Sequence, residues 1–416
     1  MSIQTKKLNI GLFGFGVVGS GLYKVLQQTP SLNAGITKVC IKHPEKKREA
    51  SAELFTTDAE LLLQDESINV IVELIDDAEA AHYIVTTALK NGKAVVSANK
   101  KLIAEHLPEL LKLQEKHNVP FLYEAACCAS IPVIRNLEEY YDNDLLAGIS
   151  GIVNGSTNYI LTRISQDKLD FQEALLQAQV EGFAESDPTL DIAGIDAVNK
   201  LSILLAHGYG IVEHPSAIVH TGIQQLQDHD AVYAKEKGYE IKLVAQAHKQ
   251  ADGKIAAFVL PQFVEPGCQL YNVRNEYNGV VIESGFADKQ FFYGKGAGSF
   301  PTASAVLSDI SALRYGYKYE YKKLRSQKAK LTNDVYLRIY VSYEGLFHVP
   351  PERFSKIEEW SSNDKRCFVV GIIHFSQLLD TSWWKKKNAS LILLPDAFVD
   401  EKIVKQQEKV EVPELA

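Results

Sequence analysis

The stretch EGFAESDPTLDIAGIDAVNK, beginning at Glu181, sets Glu185, Asp187, Asp191, Asp196 and Lys200 within sixteen residues. Asp196 and Lys200 stand at i and i+4, so a helix spanning Asp196 to His207 carries both on one face. Alone, such a pair reads as a surface ion pair worth roughly a few tenths of a kcal/mol. The neighbouring acids change its meaning. A pocket of carboxylates suits a ligand bearing an ammonium group, and a lysine held in a polar cleft can protonate an oxygen that gains charge during a reduction.

A second constellation lies near the start of the chain, where GFGVVG (Gly14, Phe15, Gly16, Val17, Val18, Gly19) follows the strand-like run Leu8–Phe13 and opens a helical pattern from Gly16 to Gln28. Strand, glycine-rich turn and helix in that order are the context of a dinucleotide site. Gly14 permits the tight turn, Gly16 lets the backbone approach a pyrophosphate, and Gly19 allows close packing of helix on sheet. After the next strand, Thr37–Ile41, an acid would hold the ribose of NAD. The sequence there is IKHPEKKR, and Lys42, Lys46, Lys47 and Arg48 instead suit a 2′-phosphate, which favours NADP over NAD. In SANKK, Lys100 follows another strand and falls at its carboxyl end, where open α/β sheets bind ligands.

These groups need elements to position them. Runs at Val70–Ile75, Ala80–Lys90 and Ala94–Ser97 continue a βαβ rhythm, which predicts an α/β fold with a Rossmann-type, doubly wound parallel sheet over residues 1–131. An α+β catalytic and dimerisation domain is expected over 132–314, its end returning to the first domain, with strands at Glu240–Gln246, Ile255–Leu260 and Gly279–Ser284. The Tyr-rich basic segment 315–330 reads as a linker or exposed helix. Residues 331–416 read as a small C-terminal βαβ-type domain, with strands Tyr336–Ser342, Arg366–Ile373 and Ser390–Leu394 and helices Pro351–Trp360 and Phe375–Trp384.

With 416 residues, 46% hydrophobic and 23% charged, the chain is globular in composition. A net charge of -8 argues against a nucleic-acid binder and for a small-molecule partner. No apolar run is long enough to span a membrane, and no export signal precedes Leu8, so a cytoplasmic protein is expected. Five cysteines without CxxC spacing and eleven histidines without HxxxH spacing suggest no zinc site.

GFGVVGSG, SANKKLIA, IPVIRNL, GIVNGSTNYILT, EGFAESDPTLDIAGIDAVNKLSIL and GKGAGSFPTASAVLSDI follow one another across residues 8–314, and in this register the chain resembles the homoserine dehydrogenases. The resemblance implies NAD(P)-dependent reduction of L-aspartate 4-semialdehyde to L-homoserine on the path to threonine and methionine, by a homodimer. By position it implies Lys200 as proton donor and Lys100 as the lysine near cofactor and substrate. Glu185, Asp191 and Asp196 become the acids around the amino and hydroxyl groups, Asn154, Gly155 and Ser156 further substrate contacts, and Gly298 a glycine approaching the nicotinamide. It also implies a sodium ion on the backbone carbonyls of Glu124, Cys127, Ala129 and Ile131, in EAACCASIP where the family carries EAxVxGGIP.

Departures from the family pattern are Asp76 and Asp77 in place of two glycines, and Phe183 in place of Tyr. The resemblance is to the monofunctional members, and no aspartokinase portion is expected. The C-terminal rhythm resembles an ACT regulatory domain, yet YEGLFHVPP lacks the acidic-x-Pro-Gly turn, so threonine feedback is not expected and the region beyond Leu331 is expected to be dispensable for chemistry. Two rivals remain. A related semialdehyde dehydrogenase working through a thioester needs a nucleophilic cysteine with a base, which Cys127 and Cys128 lack in sequence. A catalytically weakened NADP-binding regulator is opposed by the presence of both Lys100 and Lys200.

Overall fold

The computed structural model describes residues 7–143, 145–326, 329–344, 349–363, 366–402 and 404, which divide into two units. One contains the residues up to Asn143, Ser202–Pro215 and the stretch from Phe292 to Ser326; the other contains Leu145–Leu201, Ser216–Phe291 and the residues from Ala329 onward.

In the first unit β1 (Leu8–Phe13), α1 (Val17–Gln28), β2 (Ala34–Cys40), β3 (Phe55–Thr56), α2 (Glu60–Leu63), β4 (Val70–Glu73), α3 (Ala78–Lys90), β5 (Ala94–Ser97), α4 (Lys100–His117) and β6 (Phe121–Leu122) follow in order. The six strands are parallel, in the order β3-β2-β1-β4-β5-β6. Ile10, Leu12, Val70, Val72 and Val95 are all buried. That continuous apolar character is what a sheet covered by helices on both faces requires. Strand order reverses between β1 and β4, and ligands of such sheets bind at the carboxyl ends beside that reversal. Two helices there start on side-chain caps: Asp77 accepts from the Ala80 amide for α3, and Asn99 accepts from the Leu102 amide for α4. Asp77, one of the two acids in place of glycines, therefore has a structural task.

The Tyr-rich segment is no exposed linker. Tyr319 and Tyr321 are buried in this unit. The Tyr123 hydroxyl meets His207 Nε2 at 2.9 Å as well as the Tyr321 hydroxyl, and His207 Nδ1 meets Glu138 at 2.6 Å. Alternation with lysines disguised these aromatic rings as a solvated stretch.

The second unit is built on a mixed sheet. α5 (Val133–Glu139) precedes it in the first unit. Then come β7 (Leu146–Ile152), α6 (Gly155–Asp167), α7 (Phe171–Val180), α8 (Thr189–Ile192), α9 (Ile195–Tyr209, which begins here), β8 (Val219–His220), β9 (Glu240–Lys249), β10 (Ile255–Val264), β11 (Tyr277–Ser284) and β12 (Asp288–Lys295, which likewise begins here). β13 (Tyr336–Tyr343), β14 (Phe354–Asn363), β15 (Arg366–His374) and β16 (Ala389–Val399) complete it. The strand order is β12-β11-β7-β9-β10-β16-β13-β15-β14, with β8 on β10.

The region beyond Leu331, read from sequence as a separate βαβ-type domain, extends this sheet through the β10–β16 pair, and β13 is antiparallel to both β15 and β16. Neither helix expected there forms. Pro351–Trp360 becomes a short 3-10 turn and then β14, whose register slips twice against β15. Such bulges insert residues that break the period-two alternation by which a strand is recognised. In Phe375–Trp384 the carbonyls of Gln377 and Leu378 accept from the indole N–H groups of Trp383 and Trp384, at 2.9 and 3.1 Å, leaving only the 3-10 turn Phe375–Leu379. The segment YEGLFHVPP lies partly outside the described residues.

Phe258 and Leu260 of β10 share one core with Ile339, Trp384 and Leu393 from the C-terminal strands. Ending the chain at Leu331 should therefore strip a buried face. We expect insoluble protein, or a Tm lower by roughly 10 °C or more, read by thermal melting of purified protein. A soluble truncation with the full-length Tm would contradict this packing.

Candidate active site

The GFGVVG turn joins β1 to α1. Gly14 has φ +93°, and a Cβ there would lie 2.5 Å from the Leu74 carbonyl oxygen; a Cβ on Gly19 would lie 2.2 Å from the Gly14 oxygen. Side chains at either position would force the turn apart. Gly16, preceding α1, faces open space instead. A phosphate group can approach the backbone there, so this turn fits a dinucleotide. GKGAG comes to the same place: Gly298, with φ +117°, precedes the helix Ser299–Leu313, and Ser299 Oγ donates to the Val17 carbonyl at 2.7 Å. Phe15 packs edge-on against Tyr23 and Phe55, so its side chain serves the fold.

Past the end of β2, Lys46 and Arg48 line a cavity of about 450 Å³ with Ile41 and Phe55. The Arg48 guanidinium lies over the Phe55 ring and donates to the carbonyls of His43 and Lys46, both at 2.7 Å, while Lys42 is exposed. Arg48 is held by the fold rather than left loose in a solvated loop.

A buried carboxyl that sequence reasoning missed supports the ends of β4 and β5. Glu73 accepts from Ser97 Oγ at 2.6 Å and from the Ile75 amide at 2.8 Å; Ser97 Oγ accepts from the Asn99 amide, and Asn99 Nδ2 donates to the Ile75 carbonyl. Lys100, half-buried, opens α4 immediately after this lattice. Burial pushes the Glu73 carboxyl up to about 7, against the pull of its two hydrogen bonds.

The loop EAACCASIP is buried at Cys127, Cys128, Ala129 and Ile131. Cys128 and Ala129 have φ of 55° and 38°, a left-handed path glycine would follow without strain. Ala129 thus holds, at a cost in strain, a conformation that suits the glycine the family pattern carries there. Both Glu124 carboxylate oxygens accept amides at the start of α5, from Ile134 and Arg135 at 2.9 Å each, so the side chain serves the loop, while the main-chain oxygens of Glu124 and Ile131 accept the Cys127 and Val133 amides at 3.3 and 2.8 Å. Each such carbonyl oxygen keeps a second lone pair, and main-chain oxygens are the donor chemistry that a hard cation takes. Burial and the neighbouring Asp309 push Glu124 up to about 8.

In the second unit, Lys200 Nζ donates to Asp196 and to the Val153 carbonyl, both at 2.7 Å, and the two ionic side chains are nearly inaccessible at 9% and 5% exposure. The amide of Asn154 donates to Asp191 at 2.7 Å and to Asp196 at 2.8 Å, while its oxygen caps α6 at the Thr157 amide. Asn154, Asp191, Asp196 and Lys200 thus converge. Gly155 and Ser156 form the adjoining first turn of α6, with the Ser156 hydroxyl turned to the Phe183 carbonyl at 2.6 Å. The Phe183 ring stacks on Tyr159. Glu185 stays outside this cluster, exposed and held through its backbone carbonyl by Gln179; Asp187 binds Thr189.

A Gly-rich turn on a parallel sheet, with a buried lysine among carboxylates in an α+β unit, defines a nicotinamide-dependent oxidoreductase. A model described as the homoserine dehydrogenase NAD-binding domain matches residues 14–124, and one described as homoserine dehydrogenase matches 132–311. The homoserine dehydrogenase of Bacillus subtilis is 35% identical over 407 residues, covering 91% of this chain and 94% of that one. Among solved structures, a homoserine dehydrogenase from Thiobacillus denitrificans superposes with a TM-score of 0.82 at 28% identity, over 94% of this chain and 98% of that one. A hyperthermophilic archaeal homoserine dehydrogenase in complex with NADPH gives a TM-score of 0.64 at 26% identity, over 76% and 99%. The chain belongs to the homoserine dehydrogenase family, NAD(P)-dependent oxidoreductases acting on a CH–OH group.

Glu73 carries a pH signature. Its folded value near 7 lies above the ordinary 4.5, so the folded state keeps a proton that the unfolded state has lost. The stability it contributes is complete below about pH 4.5 and disappears as pH rises through 7, a change of up to about 3 kcal/mol. Glu73→Gln should flatten that part of the stability curve, measured by urea unfolding of both proteins at pH 5 and 7.5. Identical slopes would show that Glu73 is not buried with its proton.

Proposed function

We propose that Lys200 is the proton donor in the reduction of L-aspartate 4-semialdehyde to L-homoserine. The observation that carries the reading is the burial of its ammonium between Asp196 and the Val153 carbonyl. When bound, the nicotinamide supplies the hydride that the aldehyde carbon receives. Lys200 gives a proton to the aldehyde oxygen as that oxygen gains negative charge, and is then reprotonated from water. Asp196 fixes the ammonium's direction. Asp191 supplies negative charge for the substrate ammonium, and Asn154, Gly155 and Ser156 shape the adjoining turn; Glu185, outside the cluster, is assigned the substrate only by the family resemblance. Lys100, at the start of α4, orients cofactor and substrate.

NADP is the preferred cofactor on this reading, supported by Arg48, Lys46 and the cavity they line, by the absence of an acid directly after β2, and by the NADPH complex of the archaeal relative. A sodium ion on the carbonyls of Glu124, Cys127, Ala129 and Ile131 would add a fixed positive charge and hold the strained loop. Assembly as a homodimer, a place in threonine and methionine synthesis, and a cytoplasmic location rest on family resemblance. Among the described residues no helix is long and apolar enough to cross a membrane.

Lys200→Ala should lower kcat about 100-fold or more while leaving the Kd for NADPH, read by fluorescence titration, near wild type. Turnover close to wild type would remove Lys200 from the chemistry. In matched assays kcat/KM should be at least about tenfold higher with NADPH than with NADH, the value of one charge-assisted contact to the 2′-phosphate. Equal or reversed preference would reject the role given to Arg48 and Lys46.

A further inference from the structure

His82 lies on α3, and His106 and Glu109 lie at i and i+3 on α4, so the latter two share one face of their helix. Where the helices pack, His82 Nε2 meets Glu109 Oε2 at 2.8 Å, and the rings of His82 and His106 stand 4.3 Å apart between centroids. One ligating atom from each of the three residues lies within 4.8 Å of the others. A four-coordinate zinc ion, with bonds of about 2.0–2.2 Å, places neighbouring ligand atoms about 3.4 Å apart. The observed spacing brackets that value, and small side-chain rotations bring all three atoms onto one ion.

We propose that His82, His106 and Glu109 form a binding site for a zinc-type divalent transition-metal ion that clamps α3 to α4. Two imidazoles and one carboxylate are a donor set that such ions take in preference to magnesium or calcium, which favour oxygen ligands alone. The side chains of His82 and Glu109 are 27% and 49% exposed, so water reaches the cluster and fills the fourth position. An unfilled cluster also leaves two imidazoles side by side, with a single carboxylate hydrogen-bonded to one of them. An ion between them replaces any repulsion by two coordinate bonds. None of the three residues touches the dinucleotide turn or the Lys200 cluster as described above. The ion's task is therefore to fix the packing of two helices beside β4 and β5, and it takes no part in hydride or proton transfer. His82 stands 24 residues before His106, so local sequence spacing could not reveal the site.

The test uses tag-free, full-length protein stripped of metal and titrated with Co²⁺ alone. We expect one ion per chain, a visible d–d spectrum without sulfur charge transfer, and displacement by Zn²⁺. His106→Ala and Glu109→Gln should each bind at least about tenfold more weakly, since losing a direct ligand costs no less than losing its supporting partner. Zn²⁺ should raise the Tm of the wild type and leave that of His106→Ala unchanged, with turnover of the metal-free proteins within about twofold of one another. Binding of Co²⁺ unchanged in both variants, less than one ion bound by the wild type, or a spectrum dominated by sulfur ligation would each overturn the proposal.

Discussion

The side-chain amide of Asn154 joins three helices, and the geometry of the Asp191, Asp196 and Lys200 cluster depends on it. Its oxygen starts α6, and its nitrogen holds the carboxylate of Asp191 on α8 and that of Asp196 on α9. Asp196 in turn fixes the ammonium of Lys200 one turn along its helix. An ion pair removed from water stabilises a fold only when its remaining hydrogen-bonding capacity is met. Asn154 meets part of it for Asp196, and the Val153 carbonyl does so for Lys200. The same bonds that make the burial tolerable also fix the direction of the ammonium proposed as proton donor.

Carboxylates in the first unit serve backbone turns in a similar way. Glu73 supports the Ile75 amide, Glu124 takes two amides at the start of α5, and Glu138 takes those of Glu320 and Tyr321. Burial works against charge at all three. At Glu138 the hydrogen bond and charge of His207 overcome it and hold the carboxyl below its ordinary value, whereas Glu73 and Glu124 remain raised. Glu73 and Glu124 lie under turns expected to face ligands, whereas Glu138 supports the buried Tyr-rich segment. Loops that must hold a fixed shape without regular hydrogen bonding need such internal acceptors.

Much of the site was legible because its residues act locally. GFGVVG declares its turn through glycines whose absent side chains the structure requires, and Asp196 and Lys200 share a helix face by spacing alone. The longer strands β1, β4 and β5 were readable for the same reason, since their buried, largely apolar runs are local, whereas the two-residue strands β3 and β6 gave no such signal. In the C-terminal strands local signals failed: bulges spoiled the alternation of β14, and two indole N–H groups took carbonyls that a helix would have used.

By itself the sequence determined the dinucleotide turn, the parallel sheet behind it and the pairing of Asp196 with Lys200, because these follow from backbone sterics and helical periodicity over a few residues. Tertiary structure alone decided that this ion pair is buried, that Asn154 joins it, and that Tyr319 and Tyr321 sit in a core. It likewise decided that the last strands extend the sheet of the second unit, and that Glu73, or His82 with His106 and Glu109, have partners at all. Each of those facts depends on groups far apart in the chain meeting where water is excluded or helices cross, and no local spacing encodes such a meeting.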